Sequence, residues 1–172
     1  MIKEILVPKD RMRVFISVKK RLQDRLSIDI SVESNVVSMN GESLSIMEAE
    51  TVVKAIARGF SPAKAFELLN EENTLIILDL PSERNKLIKT KSRLIGTDGK
   101  CRKNMEQMTG TFVSVYGKTV SIIGEYDSAE KCRRAMQMLI KGSPHKNVYK
   151  FLESLDNEGS WWQSQQKNSQ QK

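Results

Sequence analysis

An internal repeat constrains the fold of this 172-residue chain more than any other feature of its sequence. A shift of 83 residues aligns segment 30–59 with segment 113–142 without a gap, and eight of the thirty positions are identical. The identical pairs are Ser31-Val32 with Ser114-Val115, Val37-Ser38 with Val120-Ser121, Gly41-Glu42 with Gly124-Glu125, Ser45 with Ser128, and Gly59 with Gly142. Many of the other pairs exchange one apolar residue for another. We interpret this register as two copies of one structural unit.

Each copy shows the same succession of signals for helices and strands. A short apolar run before a proline predicts a first strand, at Ile5-Leu6-Val7 and at Leu75 to Leu80, and a helical stretch follows. Two strands come next, joined by turns at Ser34-Asn35 and Gly117-Lys118. A long amphipathic helix that ends at a glycine closes the copy. This order predicts an α+β fold of two units, each with a three-stranded sheet and helices on one face.

The two copies differ in charge. Residues 1–72 contain eleven Lys/Arg and eleven Asp/Glu, whereas residues 73–172 contain seventeen and ten, so the whole net charge of +7 lies in the second half. Eight basic residues and one acid fall between Arg84 and Lys103, in a stretch that includes about ten residues with no counterpart in the first copy. A solvated helix face usually mixes both signs of charge. A cluster of one sign therefore predicts a polyanionic partner.

Two glycines follow the first part of this basic stretch, in the segment Leu94-Ile95-Gly96-Thr97-Asp98-Gly99-Lys100. The first copy has Arg13 and Ile16 at the aligned positions, so a structural turn shared by both copies does not explain the glycines. Glycine has no Cβ and lets another molecule approach the backbone closely. A helix that starts near Lys100 would present free amides and its positive dipole end to a phosphate. We expect aspartate at Gly96 or Gly99 to abolish binding while the fold stays intact.

Several features argue against secreted, membrane-spanning and catalytic proteins. The longest apolar run, Leu75 to Leu78, has the length of a strand, and the charged N-terminus does not resemble a signal peptide. Cys101 and Cys132 have no metal-ligand spacing, and we expect reduced thiols in a cytoplasmic protein. Cys101 is either a packed side chain or one whose pKa the neighbouring cations lower. We expect the single histidine, His145, at the surface in the first turn of a helix, and we predict no enzyme, cofactor or metal site.

The order strand, helix, Gly96-x-x-Gly99, helix, strand, strand, helix resembles a type I KH domain. The segments Met108 to Gly124, Ile140 to His145 and Val148 to Glu153 are similar, more specifically, to the archaeal KH proteins related to the eukaryotic ribosome-assembly factor called partner of Nob. The resemblance spans residues 1–156 and implies a degenerate KH-like domain at 1–72 and a KH domain at 73–156. It further implies binding of single-stranded RNA, the 3′ region of small-subunit ribosomal RNA, during small-subunit maturation. Implied protein partners are a maturation endonuclease and the alpha subunit of initiation factor two.

KH domains clamp about four nucleotides with this loop. The predicted RNA-binding residues are Lys91, Arg93, Ile95, Gly96, Thr97, Asp98, Gly99, Lys100, Arg102 and Lys103. The candidate lining of a groove for bases is Ile95, Met105, Phe112 and Val113, although alternate residues of the strand must also pack under the helices. Two positions depart from the family pattern. Arg102 replaces an aliphatic residue and is expected to point outward to phosphate, and Asp98 either repels phosphate or caps the helix at Lys100.

The remaining segments leave alternatives open. The neutral first copy either packs against the second copy or docks a protein. Residues 157–172, rich in Gln, Ser and Asn, are predicted to be disordered. Trp161-Trp162 either stack on bases, insert into a partner or have no defined role. Two alternatives to RNA binding are single-stranded DNA and an adaptor in translation initiation or ribosome assembly whose basic loop docks an acidic protein.

Overall fold

The structure, a computed structural model, describes the backbone of residues 1–169 and the side chains of residues 1–158. The first copy comprises β1 (Ile2–Leu6), α1 (Lys9–Leu26), β2 (Asp29–Glu33), β3 (Val36–Asn40), α2 (Ser43–Ala57), α3 (Pro62–Phe66) and a 3-10 turn (Glu67–Leu69). The second comprises β4 (Asn73–Asp79), α4 (Arg84–Ile95), a 3-10 turn (Thr97–Gly99), α5 (Lys100–Thr109), β5 (Phe112–Tyr116), β6 (Thr119–Glu125), α6 (Tyr126–Ile140) and α7 (His145–Ser169). Within this described part, no helix is both long and apolar enough to cross a bilayer.

The 83-residue register of the sequence holds in the structure. A shift by that number superimposes both ends of β2 on β5 and both ends of α2 on α6. The hairpin turns match as well, because Ser34 has a φ of 55° and Gly117 a φ of 56°. The register predicted from the sequence therefore matches the structure at these two elements and at the hairpin turn.

Both sheets are three-stranded and antiparallel, with the strand orders β1-β3-β2 and β4-β6-β5. The last strand of each copy is central, and β5, which follows the basic loop, lies at an edge. Side chains alternate between the two faces of each strand, so each sheet turns one face toward the helices of its own copy. The predicted mixed fold of two three-stranded sheets with helices is confirmed.

The helices of the first copy also cover the second sheet. Ile123 of β6 belongs to the buried core of the first copy, and Leu75 of β4 packs against that core. Ile122, one residue earlier on β6, belongs to the core of the second copy. The layers therefore follow one another as first sheet, first helices, second sheet and second helices.

Polar contacts join the two copies along β5. Ser114 Oγ donates to the Arg58 carbonyl at 2.8 Å, and the Tyr116 hydroxyl lies 2.6 and 2.7 Å from the two carboxylate oxygens of Asp10. A Cβ on Gly59 would lie 2.7 Å from Ser114 Oγ, so the chain approaches β5 as closely as a glycine permits. The end of α2 is thus fixed against the edge strand of the second sheet.

The two copies differ in structure at two segments, at α1 and at the C-terminal helix α7. Helix α1 runs without interruption through Arg13 and Ile16, where the second copy has α4, a loop and α5. At the other end, α7 is helical to Ser169, although the sequence predicts disorder for residues 157–172. Gln, Lys and Ser can continue an existing helix at little cost in propensity. Residues 170–172 and the side chains of Trp161 and Trp162 lie outside the described parts.

Candidate nucleic-acid interface

The two glycines lie in the connection between α4 and α5. Gly96 N–H donates to the Ser92 carbonyl at 2.9 Å and ends α4. A single 3-10 turn follows, in which Gly99 N–H donates to the Gly96 carbonyl at 3.3 Å and Lys100 N–H donates to the Thr97 carbonyl. Helix α5 begins at Lys100, as the sequence predicts. The chain therefore passes from one helix to the next through one tight turn.

Gly96 is required by the fold itself. Its φ of 72° and ψ of 179° lie in a region that glycine alone occupies readily. A Cβ at this position would lie 2.8 Å from Cys101 Cβ and 2.9 Å from Cys101 N. The first turn of α5 thus fills the space left by the missing side chain. Aspartate at Gly96 would therefore strain the first turn of α5, so its effect on binding cannot be separated from its effect on the fold.

Gly99 has the opposite surroundings. Its φ of 74° and ψ of 15° are left-handed, and a Cβ at this position would meet no atom within 4 Å. The backbone at Gly99 is therefore open to an approaching molecule, at the residue that caps α5. The close approach predicted for both glycines applies to Gly99.

Asp98 does not cap α5. The residue is exposed and itself left-handed, with a φ of 54° and a ψ of 27°. Within the described residues its carboxylate makes no hydrogen bond, and Gly99 has no side chain with which to cap the helix. The capping alternative for Asp98 is therefore wrong. The positive end of this ten-residue helix remains without a bound carboxylate, which favours an anion there.

Three lysines of the predicted set surround this turn. Lys100 and Lys103 are exposed on the first turn of α5. Lys91, on α4, shares a surface cavity with Gly96 and Thr97. Across the described residues none of the three forms an ion pair. Their charge is therefore free to act on a phosphate.

The two arginines of the predicted set have partners inside the protein. Arg93 Nη2 donates to the Ser143 carbonyl, after α6. Arg102 Nη1 donates to Glu106 Oε1 at 3.1 Å, and the same oxygen accepts the Val113 N–H at 2.8 Å. Arg102 lies at the surface and not in the core, as expected, but its guanidinium is paired with this carboxylate and its contact with phosphate stays a prediction. Arg93 fixes the end of α4 to the loop after α6.

A groove runs past the loop and continues onto β5. Ile95, at the end of α4, lines two adjoining cavities. The first also contains Ile88, Lys91 and the loop residues Gly96 and Thr97. The second contains Arg102 and the edge strand from Val113 to Val115. Ile95 is thus the apolar surface that connects the glycine turn with the edge of the second sheet.

The other predicted lining residues have different positions. Met105 is fully buried, and Val113 borders the cavity with Ile95 although it is only 3% exposed and its side chain packs in the core. Phe112 is 38% exposed on the other side of β5, and Lys64 Nζ lies 5.2 Å from the centre of its ring. Strand alternation explains why Phe112 and Val113 cannot line one surface together.

The first copy supplies a wall of the groove that the sequence did not predict. Gly59, Phe60, Ser61 and Lys64 line the cavity opposite Ile95 and Arg102. Ser61 caps α3, where its side chain accepts the Lys64 N–H at 3.4 Å, and this places Lys64 beside the groove. No sequence signal marks this wall, since it forms only when the two copies pack together.

The cysteines and the histidine are structural. Burial raises the pKa of the Cys101 thiol, against the opposing effects of a hydrogen bond from Tyr149 and of the Arg93 charge. The alternative of a lowered Cys101 pKa is therefore wrong. Burial likewise raises the pKa of Cys132 to about 11. His145 begins α7 but is half-buried, with Nε2 2.9 Å from the Arg93 carbonyl, rather than a surface residue. Among the described residues, no three His, Cys, Asp or Glu side chains are grouped to hold a metal ion.

Comparison with known proteins agrees with this geometry. Residues 75–157 match the family described as the eukaryotic type KH domain (KH domain type I). The KH domain-containing protein MJ0443 of Methanocaldococcus jannaschii is 37% identical, and the match covers 87% of this chain and 72% of that protein.

Two solved structures from Pyrococcus horikoshii OT3 are also similar. One is the crystal structure of Dim2p, with a TM-score of 0.83 and 38% identity, covering 90% of this chain and 99% of that one. The other is a complex of a/eIF2alpha, aDim2p and rRNA, in which the similar chain has a TM-score of 0.85 and 37% identity, with coverage of 92% and 95%. The chain described above therefore belongs to the type I KH-domain family, among the archaeal proteins related to Dim2p and to partner of Nob.

Proposed function

We propose that this chain is a non-catalytic, cytoplasmic RNA-binding protein whose second copy, residues 73–156, clamps single-stranded RNA. The proposed target is the 3′ region of small-subunit ribosomal RNA during maturation of the small subunit. The observation that carries the proposal is the open backbone at Gly99, on the uncapped end of α5 and among three unpaired lysines. KH domains as a class bind RNA through this element.

The path of the RNA backbone follows from charge and access. A phosphate beside Gly99 meets the positive end of α5 and the ammonium groups of Lys100 and Lys103. Thr97 and Asp98 are exposed at the tip of the turn, on the side away from the core. Lys91 extends the basic surface along α4. Of the ten predicted residues, Arg93, Arg102 and Gly96 act on the shape of the site, and the others are proposed to face the path.

The bases are proposed to enter the groove in which Ile95 joins the cavity at the glycine turn to the cavity at β5. Its floor is the edge strand β5, whose outer edge has no partner strand among the described residues. Arg102 and Lys64 stand on opposite walls. Beyond the Val113 N–H, which Glu106 accepts, an edge strand offers free backbone groups, and Ile95 offers an apolar surface for a base. The groove therefore combines polar and apolar contacts, as recognition of unstacked bases requires.

We further propose that the first copy, residues 1–72, is a degenerate KH-like domain. It has no paired glycines, α1 is continuous where a loop would lie, and its charges cancel. Its contribution to RNA binding is proposed to be the second wall of the groove.

The proposed protein partners rest on the relatives. The Pyrococcus horikoshii complex contains a/eIF2alpha together with aDim2p and rRNA, which supports the alpha subunit of initiation factor two as a partner of this chain. A maturation endonuclease is proposed on the resemblance to the family of partner of Nob alone.

Gly99→Asp tests the clamp. Aspartate tolerates the left-handed conformation, as Asp98 shows in the same turn, but places a carboxylate where phosphate would bind. We expect at least a tenfold loss of affinity, about 1.4 kcal/mol, for an oligoribonucleotide of the small-subunit rRNA 3′ end. Gly110→Asp is the matched control, because Gly110 has a φ of 67°, an equally open Cβ position and a place at the opposite end of α5.

Unchanged affinity in folded Gly99→Asp would contradict the clamp. Competition with the deoxyribose oligonucleotide of the same sequence separates RNA from DNA binding. Nuclease-resistant capture of an acidic protein, together with no affinity for either oligonucleotide, would favour the adaptor whose basic loop docks an acidic partner.

A further inference from the structure

The outward side of the first sheet has no cover among the described residues. Ile30, Val37 and Met39 point inward and are buried in the core. The alternate residues point outward, and Ile2 and Leu6 on β1 are 71% and 67% exposed. We call this outward side of β1, β2 and β3 the open face. Exposed aliphatic residues on a sheet face of this kind mark a surface that another element can cover.

The second copy shows what covers the same face when a partner is present. The 83-residue shift maps Ser38 and Asn40 of the open face onto Ser121 and Ile123. Both of those residues are buried, Ser121 completely, because the helices of the first copy pack over them. In the second copy, the outward face of the sheet is therefore covered by the helices of the first copy. The open face is the equivalent surface without that layer.

The open face differs from its counterpart in charge. Its outward residues include the acids Glu4, Asp29 and Glu33 and no lysine or arginine. The neighbouring Lys3 points to the other side, where its Nζ lies 3.3 Å from Glu50 Oε1. The N-terminal ammonium group donates to the Gly41 carbonyl at 2.8 Å, at one corner. Three acids on one face of a chain with net charge +7 repel RNA and attract a basic partner.

The open face also has a place for an anchoring side chain. A depression beside Ile2 and Asp29 is lined by the outward residues Ser31, Ser38 and Asn40, together with the inward Ile30 and Met39 and with Gln23 of α1. Ile2 and Asp29 stand at its two sides, on the two edge strands. A lysine or arginine could lay its aliphatic stem on Ile2 and place its charged head at Asp29. The depression therefore favours the same basic partner as the overall charge does.

We infer that the open face docks a lysine- or arginine-rich helical segment of another protein. Aliphatic residues of that segment cover Ile2 and Leu6, and its cations pair with Glu4, Asp29 and Glu33. The first helices and the second sheet separate this face from α5, so docking leaves the proposed RNA site accessible. The inference does not depend on RNA binding, and the two are tested by different variants.

The test uses the full chain and a fluorescent 18-residue helical peptide of leucine and lysine, with its leucine and glutamate counterpart as the charge control. The double variant Asp29→Lys/Glu33→Lys reverses two charges of the open face. Glu71→Lys/Glu72→Lys is the matched control, since both acids are exposed and precede β4, away from the face. Asp29→Asn/Glu33→Gln serves as a milder version, and thermal melting checks that each variant is folded.

We expect the lysine peptide to lose at least tenfold in affinity with the open-face variant and less than twofold with the control. The neutral variant should show a smaller loss in the same direction, and the methyl resonances of Ile2 and Leu6 should shift when the peptide binds. Affinity for RNA should stay within twofold of the wild type. Equal losses in both charge-reversed variants, or peptide-induced shifts confined to other methyl groups, would overturn the inference. So would a concentration-dependent dimer that the open-face variant abolishes, because a second copy of the chain would then be the occupant.

Discussion

Alanine substitutions at the two loop glycines should have very different effects on stability. At Gly96 the new Cβ would lie 2.8 and 2.9 Å from two atoms of Cys101, one of them a backbone nitrogen. Relief requires a shift of the first turn of α5, and overpacking of this kind costs about 1–3 kcal/mol. The backbone conformation, which favours glycine, adds about 1–3 kcal/mol. We therefore expect Gly96→Ala to lose about 3 kcal/mol, the middle of the range that these terms give.

At Gly99 only the backbone term applies. A non-glycine residue in the left-handed region costs about 1–2 kcal/mol, and the new side chain meets no atom within 4 Å. Alanine also stiffens the unfolded chain, which offsets about 0.4–1 kcal/mol at either position. The expected net loss for Gly99→Ala is about 1 kcal/mol or less.

Urea unfolding followed by circular dichroism, and thermal melting, measure this contrast. For a chain of this length about 1 kcal/mol corresponds to about 2–4 °C in Tm. We expect Gly96→Ala to melt at least about 6 °C below the wild type and Gly99→Ala no more than about 4 °C below it. Equal losses, or a Gly96→Ala variant as stable as the wild type, would refute the assignment of Gly96 to the fold and of Gly99 to the ligand.

Three further predictions concern two charged side chains and one thiol. Lys100→Ala should weaken RNA binding and reduce its salt dependence by about one unit of slope, with little change in Tm. Arg93→Ala should lower Tm, because it releases the carbonyl after α6, while the salt slope stays the same. The pKa of the Cys132 thiol is about 11 in the folded protein and about 8.5 in the unfolded chain. The buried neutral thiol therefore contributes fully to the free energy of unfolding below pH of about 8.5, and this contribution is lost as the pH rises toward 11. Between pH 8 and 10.5 the wild type should lose more unfolding free energy than Cys132→Ala, and equal losses would contradict this.

The sequence was sufficient for the elements and for the location of the loop. Periodicity of 2 and 3.6 residues identifies strands and helices locally, and a repeat doubles the number of observations of each. The turn at Gly117 and the end of α2 at Ala57 were therefore predicted to within a residue or two. The position of the basic cluster beside this loop also followed, because charged residues and glycines are read directly from the sequence.

The sequence did not predict side-chain contacts where more than one partner was available. Arg102 could be expected at phosphate, but Glu106 lies one helical turn away and holds it at 3.1 Å. Gly96 and Gly99 are the two glycines of one motif. Only the position of Cys101, which lies against Gly96, distinguishes the two sites. Such choices depend on three-dimensional proximity and not on spacing alone. The same holds for Lys64, which reaches the groove from the other copy.

The first turn of α1 joins the first copy to β5 and to the segment after α2. Asp10 accepts the Tyr116 hydroxyl on β5, and Arg11 Nε donates to the Ile56 carbonyl at 2.8 Å. Arg11 also donates to the Phe60 carbonyl, so it holds the end of α2 and the segment that forms the second groove wall. These two side chains keep their directions only if α1 is regular from its start, since successive residues on a helix are fixed about 100° apart. A flexible glycine within this first turn would therefore loosen the junction between the two copies.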